Sequence, residues 1–259
     1  MTQPTPEPPP FEPPSSESEI LPLPPRRHTT SAQEALRSLD LHWIHGEGPL
    51  DQIVICSRVR VARNLQGHRF PSVATAEELQ AVRDKTAAAV ASSPRFRDFF
   101  TIDLATLSTA EMHTLVEKHL ASPMISSLAE QGAAARAVVL GPYGVLGMMI
   151  NEEDHLRLQC LLPGLNLEAA WNQVSATDDA LETDLDFAFS EHLGYFTTCP
   201  SNVGTGMRAS VMLHLPALAL MNALDTIKSQ IVGQVGLAVR GLYGDCLLYT
   251  SDAADDTPC

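Results

Sequence analysis

Apolar and polar residues alternate from Ile53 to Arg63 (IVICSRVRVAR), and the β-branched residues among them predict a strand. Thr75 to Ser92 is expected to be a helix, with Thr75 as N-cap and Glu78 at the capping-box position. Ser108 and Glu111 stand in the same relation at the head of a second expected helix, 108–120. Strands are expected over 137–140, 145–150 and 155–161, with Gly141-Pro142-Tyr143-Gly144 turning between the first two. The stretch from Leu167 to Leu193 reads as mostly helical, in two pieces. A strand (209–215), a helix (217–227) and a final strand (235–242) follow. No internal repeat is present. Strand hairpins alternating with helices predict an α+β domain, an antiparallel or mixed sheet covered by helices.

The two ends differ from this pattern. Residues 1–30 hold ten of the 19 prolines, interspersed with Ser, Glu and Thr. Such a segment buries too little apolar surface to offset its ordering entropy, so a disordered tail is expected. A docking peptide in polyproline II form is the alternative. A short helix is expected from an N-cap at Ser31, with Glu34 three residues on and Leu36, Leu39 and Leu41 along it. It runs out at the loop Gly46-Glu47-Gly48-Pro49, which places the start of the compact domain near Ile53. Residues 246–259 lack periodicity and read as a frameshifted or read-through end. Four parts are therefore expected: 1–30, 31–52, 53–245 and 246–259.

Composition narrows the function. At 44% apolar residues the chain of 259 can bury a sizeable core. No apolar run approaches the ~20 residues of a membrane helix, and no secretory h-region is visible, so neither membrane nor export is expected. Five cysteines without CxxC spacing argue against a zinc ribbon or disulfide scaffold, and fit a reducing, cytoplasmic setting. A net charge of −14 disfavours nucleic acid as a partner. Phosphate binding then requires the few arginines to be gathered in one place.

Four segments offer that. A strand puts Arg58 and Arg60 on one face, about 7 Å apart, with Val59 and Val61 on the other. Two guanidinium forks at that spacing suit a polyphosphate, although a solvated edge-strand face is the simpler reading of this segment alone. In Asn151-Glu152-Glu153-Asp154-His155-Leu156-Arg157-Leu158-Gln159 the strand period places Glu153, His155, Arg157 and Gln159 together. Three consecutive acids repel one another unless a cation compensates, so the segment is either a general base and magnesium-water site or an acidic turn. Gly204 and Gly206 let backbone N–H groups approach an anion, with Arg208 following, but a Walker spacing is absent. Cys199 has the Ser201 hydroxyl two residues on, which stabilises a thiolate, while a lone cysteine is more often a buried small residue. Arg240 closes the last expected strand.

These segments, in this order, resemble the ATP:guanido phosphotransferase family: Ser57-Arg58-Val59-Arg60-Val61-Ala62-Arg63, Asn151 to Arg157, Cys199 to Gly206 with Arg208, and Arg240-Gly241. The phrases Leu115 to Leu120, Gly194-Tyr195 and Gly204 to Pro216 are closest to its bacterial protein arginine kinase branch. The resemblance covers about residues 40–245 and implies a largely antiparallel sheet flanked by helices, the glutamine-synthetase-like catalytic domain, C-terminally truncated. It implies ATP and Mg²⁺ as cofactors. Arg58, Arg60, Arg157, Arg208 and Arg240 match nucleotide-phosphate ligands, and His119 a histidine that packs on adenine. Glu153 matches the carboxylate that takes the guanidinium proton, Glu152 one that holds magnesium through water, and Cys199 a cysteine beside the guanidinium. Cys56 stands where the family motif usually has Ser. The implied partners are proteins bearing exposed arginine, with room for an activator protein and a homodimer. Small-guanidine kinases of the family have a helical domain of on the order of 100 residues ahead of the first arginine strand. Only about 22 residues (31–52) stand there in this chain, which favours an open site and a protein acceptor. A phosphagen kinase and an inactive nucleotide-binding regulator are the other readings.

Overall fold

The protein is described from a computed structural model, in which Leu36, residues 39–130, residues 135–221, Ala223, Leu224, Thr226 and Ile227 are placed. The Pro-rich head, the helix start at Ser31, the strand 235–242 with Arg240, and the segment 246–259 lie outside these residues.

Eight strands are present: β1 (Val54–Arg63), β2 (Phe100–Asp103), β3 (Ala137–Leu140), β4 (Leu146–Ile150), β5 (Leu156–Pro163), β6 (Phe189–Ser190), β7 (Gly194–Tyr195) and β8 (Met207–Leu213). Six form one sheet in the order β2-β3-β4-β5-β1-β8, and every pairing is antiparallel. β6 and β7 make a separate hairpin. The longer helices are α1 (Ala76–Ser92), α2 (Thr109–Glu117), α3 (Pro123–Glu130) and α4 (Leu167–Glu182), followed by a short α5 (Pro216–Leu220).

The strand period of two assigns the faces. Val59 and Val61 of β1, Leu156, Leu158 and Cys160 of β5 and Met148 and Ile150 of β4 share one apolar layer with Val82 and Ala89 of α1 and Val174 and Leu181 of α4. On the opposite face, Val138, Leu140, Met149 and Leu161 pack with Met112 and Leu115 of α2 and Ile125 of α3. Both capping boxes form as expected: Thr75 with Glu78, and Ser108 with Glu111.

Three departures from the sequence reading bear on the site and its surroundings. The helix begun at Leu167 ends at Glu182 instead of continuing to Leu193. Phe187 and Phe189 instead pack edge-on against Tyr195, at centroid distances of 6.3 and 5.0 Å, and Gly194 takes a left-handed φ of 78° at the hairpin. Aromatic packing and the turn outweigh helical continuation. Second, the acidic stretch is not part of a strand: β5 starts at Leu156, and residues 151–155 form the turn after β4. Third, the compact body begins before Ile53. Leu36, Leu41 and Trp43 are buried in the second apolar layer, and residues His42–Ile44 form a 3-10 turn over it.

Arg63, at the end of β1, ties α4 and the segment before β8 to the sheet. Its guanidinium donates to Asp178 Oδ2 of α4 at 2.6 and 3.0 Å and to the carbonyl of Thr205 at 2.9 Å. It also lies 3.5 Å from the centre of the Tyr195 ring. Both partners of the ion pair are buried. Removing one leaves a buried charge alone, so Asp178→Ala is expected to cost about 3–5 kcal/mol in urea unfolding. Arg63→Met combined with Asp178→Leu should recover most of that loss, because no uncompensated charge then stays in the interior.

Candidate functional site

The β5-β1-β8 register assembles the site. Arg60 of β1 pairs with Arg208 of β8 on one side and with Gln159 of β5 on the other. Arg58 pairs with Ser210, and Ala62 with Arg157. Paired residues share a face, so Arg58, Arg60, Arg157 and Arg208 all lie on the face that α2 and α3 cover only farther along, over β3 and β4. An open cleft results, lined by Arg60, Glu153, Asp154, Arg157, Asn202 and Arg208, among others. Three of the five arginines singled out in the sequence thus meet around one space with Glu153. Arg58 sits one step along the row, its Nε 3.4 Å from Ser210 Oγ. Arg240 lies outside the described residues.

Each guanidinium is oriented by its surroundings. Arg157 Nη1 donates to both carboxylate oxygens of Glu152 at 2.9 Å. Arg208 Nε donates to Asn202 Oδ1 at 2.7 Å, and its Nη2 to Ser201 Oγ at 3.2 Å. Ser201 Oγ is in turn 3.1 Å from Cys199 Sγ, the contact anticipated from their spacing. Cys199 is buried. The free cysteines among the described residues are Cys56 and Cys160, both buried, which pushes their thiols above the usual range.

The two glutamates take different positions. Glu153 is half-buried and lines the cleft. Glu152 is buried, holds Arg157 and accepts a hydrogen bond from Ser122 Oγ. Asn151 makes the turn possible with a left-handed φ of 59°, and its amide donates to the carbonyls of Leu79 and Ala135. Gly204, read as a candidate anion contact, spends its N–H on the Tyr195 carbonyl at 3.3 Å. Gly206 brings the loop against β1, where a Cβ would meet the Ala62 carbonyl oxygen at 2.7 Å. Gly206 also lines the cleft.

Sequence reasoning missed a buried network behind Glu153. Asn64 Nδ2 donates to Asp154 Oδ1 at 2.6 Å and to the Phe196 carbonyl at 3.1 Å, while its Oδ1 accepts from His155 N at 2.9 Å. Asp154 Oδ1 also accepts from Thr198 N at 2.7 Å, and Thr198 Oγ1 donates to the Glu153 carbonyl at 2.8 Å. Burial pushes the Asp154 carboxyl up, and these donors pull against it. His155 Nδ1 accepts from Leu65 N at 3.0 Å, and its Nε2 lies 2.9 Å from the Arg69 carbonyl. The network joins β1, the acidic turn and the segment carrying Cys199. An Asn directly after an arginine strand was the available signal.

His119 lies at the other end of the arginine row. It follows α2 in a left-handed conformation, φ 55°, and packs edge-on against Trp43. Burial, reinforced by the Arg58 charge, lowers its pKa to about 4.

A sheet of this form, with arginines on its open face and a carboxylate at the rim, is the architecture of a guanidino-kinase catalytic domain. It superposes on the duplicated taurocyamine kinase from Schistosoma mansoni (with bound transition state analog components) with a TM-score of 0.66. The identity is 26%, covering 86% of this chain and 32% of that one. Lombricine kinase shares the fold, with a TM-score of 0.63 at 23% identity, over 90% of this chain and 65% of that one. The sequence pattern of the ATP:guanido phosphotransferase C-terminal catalytic domain matches residues 81–255, and the chain belongs to that family. The protein-arginine kinase of Pelotomaculum thermopropionicum is 45% identical over 216 residues, 82% of this chain and 59% of the relative. That of Moorella thermoacetica is 46% identical over 206 residues, 78% of this chain and 57% of the relative. The chain therefore spans less than two thirds of the length of these curated relatives. No helix among the described residues is long and apolar enough to cross a membrane.

Two outcomes are expected. His119 and His155 both have pKa values lowered from 6.5 to about 4, chiefly by burial. Below pH 6.5 the unfolded chain takes up protons that the folded one refuses, so stability falls as pH drops from about 6.5 towards 4. Urea midpoints measured from pH 7 to pH 4.5 should decline over that window and be flat with respect to these groups above it. Asp154→Ala removes the acceptor of Asn64 Nδ2 and Thr198 N, so it should misplace the acidic turn and slow catalysis by about 10²-fold. Asp154→Asn keeps an amide oxygen that both donors can reach and should retain most of the rate. Steady-state kinetics of the two variants measure this.

Proposed function

We propose that the cleft binds ATP with Mg²⁺ and transfers the γ-phosphoryl group to the guanidinium of an arginine in a protein. The observation that carries this reading is the meeting of Arg60, Arg157 and Arg208 with Glu153 around one space. The names of the protein-arginine kinase relatives support the choice of a protein acceptor.

A guanidinium is a poor nucleophile because its lone pairs are delocalised and it is fully protonated. Glu153 binds the acceptor and takes a proton as one nitrogen attacks. The N–P bond forms while the bond from γ-phosphorus to the bridging oxygen breaks, and ADP leaves. Arg60, Arg157 and Arg208 hold the phosphates in line and spread the charge of the moving phosphoryl group, with Arg58 next along the row. Arg240 completes the set by family resemblance. In the reduced protein the Cys199 sulfur, held near Ser201, is a second negative partner for the guanidinium.

The donor set fits a magnesium ion carried by the phosphates. Among the described residues no group of three His, Cys, Asp or Glu side chains could hold a metal. Mg²⁺ keeps several waters and binds through phosphates in such sites, where it neutralises developing charge. Glu152, already committed to Arg157 and Ser122, reaches such an ion only through water. The setting proposed is the cytoplasm, where ATP is abundant and Cys199 is kept reduced.

The test uses the full-length protein under reducing conditions, with ATP, Mg²⁺ and either a protein acceptor or free arginine. Acid-labile phosphoarginine on the protein, read by phosphorus NMR or mass spectrometry, is the expected product. Comparable turnover of free arginine would assign a small-guanidine kinase instead, and no transfer to either would leave a nucleotide-binding regulator. Glu153→Gln keeps the shape but cannot accept the proton, so it should lower the transfer rate by about 10²–10⁴-fold with nucleotide binding nearly intact.

A further inference from the structure

We propose that Trp43 is a positioning residue for the nucleotide base: its indole holds the His119 ring in place, making the N-terminal segment part of nucleotide recognition. The inference rests on the reading that His119 packs on the adenine of ATP.

The starting point is the unusual backbone of His119. A left-handed φ of 55° at a non-glycine residue persists only where the surroundings over-determine it. Here they come from two directions. From the sheet, Gln159 Nε2 donates to the His119 carbonyl at 2.8 Å. From the N-terminal segment, Trp43 packs against the imidazole with centroids 5.3 Å apart and planes at 74°. Next to it, Lys118 Nζ donates to the carbonyls of Leu36 and Leu39 at 3.0 and 3.4 Å. The N-terminal segment is thus fastened to the loop that carries His119, both by backbone carbonyls and by an aromatic contact.

Trp43 is 8% exposed, and its Nε1 has no hydrogen-bond partner among the described residues. A buried indole that makes no hydrogen bond contributes through its ring. That ring shares the second apolar layer with Leu41 and Cys56, and Cys56 lies on the same face of β1 as Arg58 and Arg60. Trp43 therefore stands at one end of the arginine row, on the side of Arg58, with the phosphate cleft at the other. His119 is neutral there, because burial and Arg58 oppose its protonation. An uncharged imidazole held against an indole adds no further positive charge beside Arg58.

An ordinary core residue would affect every ligand of the site alike. A residue that positions the base platform affects only ligands that have a base. The experiment compares MgADP with inorganic tripolyphosphate by calorimetry in the full-length protein. Trp43→Leu should weaken MgADP by about 2- to 10-fold, the scale of one edge-to-face aromatic contact, and leave tripolyphosphate unchanged. In steady state the KM for ATP should rise with kcat retained, and Trp43→Phe should restore the affinity. Equal weakening of both ligands, or none, overturns the proposal. His119→Ala separates the two layers of inference. If it leaves MgADP affinity intact, the base reading of His119 fails; if it weakens MgADP while Trp43→Leu does not, only the role of Trp43 fails. Should Trp43→Leu not fold, the chain's two tryptophans allow a second measurement. Trp171 lies partly exposed on α4, and Trp171→Phe leaves Trp43 as the sole indole of this chain of 259 residues, which is the form used for this measurement. Its emission should change with MgADP and not with tripolyphosphate; no change, or the same change with both, overturns the proposal.

Discussion

Arg60 and Arg208 face each other directly across the β1–β8 ladder. Like charges at paired positions destabilise a sheet, and here a third guanidinium, Arg157, lines the same cleft. Much of the surrounding structure serves to tolerate that arrangement. Glu152 neutralises Arg157 from behind, Asn202 and Ser201 hold Arg208 by neutral acceptors, and Ser210 stands beside Arg58. Two apolar layers keep the strands in one register, so the guanidinium groups cannot move apart by slipping. The chain as a whole carries a net charge of −14, so this grouping of arginines runs against its overall balance.

The acidic turn solves the complementary problem. Three consecutive carboxylates separate because the turn sends each to a different place. Glu152 goes inward to Arg157 and Ser122, Glu153 outward to the cleft, and Asp154 inward to Asn64 and Thr198. Two asparagines make this possible. Asn151 supplies the left-handed backbone and Asn64 supplies donors on one side of its amide and an acceptor on the other. The same bonds connect the turn to the segment bearing Cys199, so the acid and the sulfur belong to one rigid unit. Rigidity of this kind suits in-line transfer, which depends on position more than on covalent chemistry.

The two ends of the arginine row have different structural origins. Sheet register sets the placing of Arg60, Arg157 and Arg208. The N-terminal segment, buried through Leu36, Leu41 and Trp43, shapes the side where His119 sits. An expected domain start near Ile53 treated that segment as an appendage. Its three large apolar residues find a place only once α2, β1 and β5 are assembled, so the local pattern that marked Leu36 and Leu41 could not show what they pack against.

What the sequence determined by itself was local or compositional. Alternation in Ile53 to Arg63 set the faces of β1, and the Thr75/Glu78 and Ser108/Glu111 pairs marked two helix starts, because strand period and capping boxes act within a few residues. The clustering of arginines could be anticipated from strand parity and family resemblance. Tertiary structure decided the rest. Glu152 and Glu153 are neighbours of identical chemistry, and only the turn after β4 buries one and presents the other. Residues 183–193 left the helix because Phe187 and Phe189 found Tyr195, an aromatic contact across the hairpin that no local propensity encodes. Gly206 is used for chain packing because the backbone it meets, at Ala62, is distant in sequence. Burial, hydrogen-bond partners and pKa depend on which segments meet, and segments far apart in the chain meet only in the folded sheet.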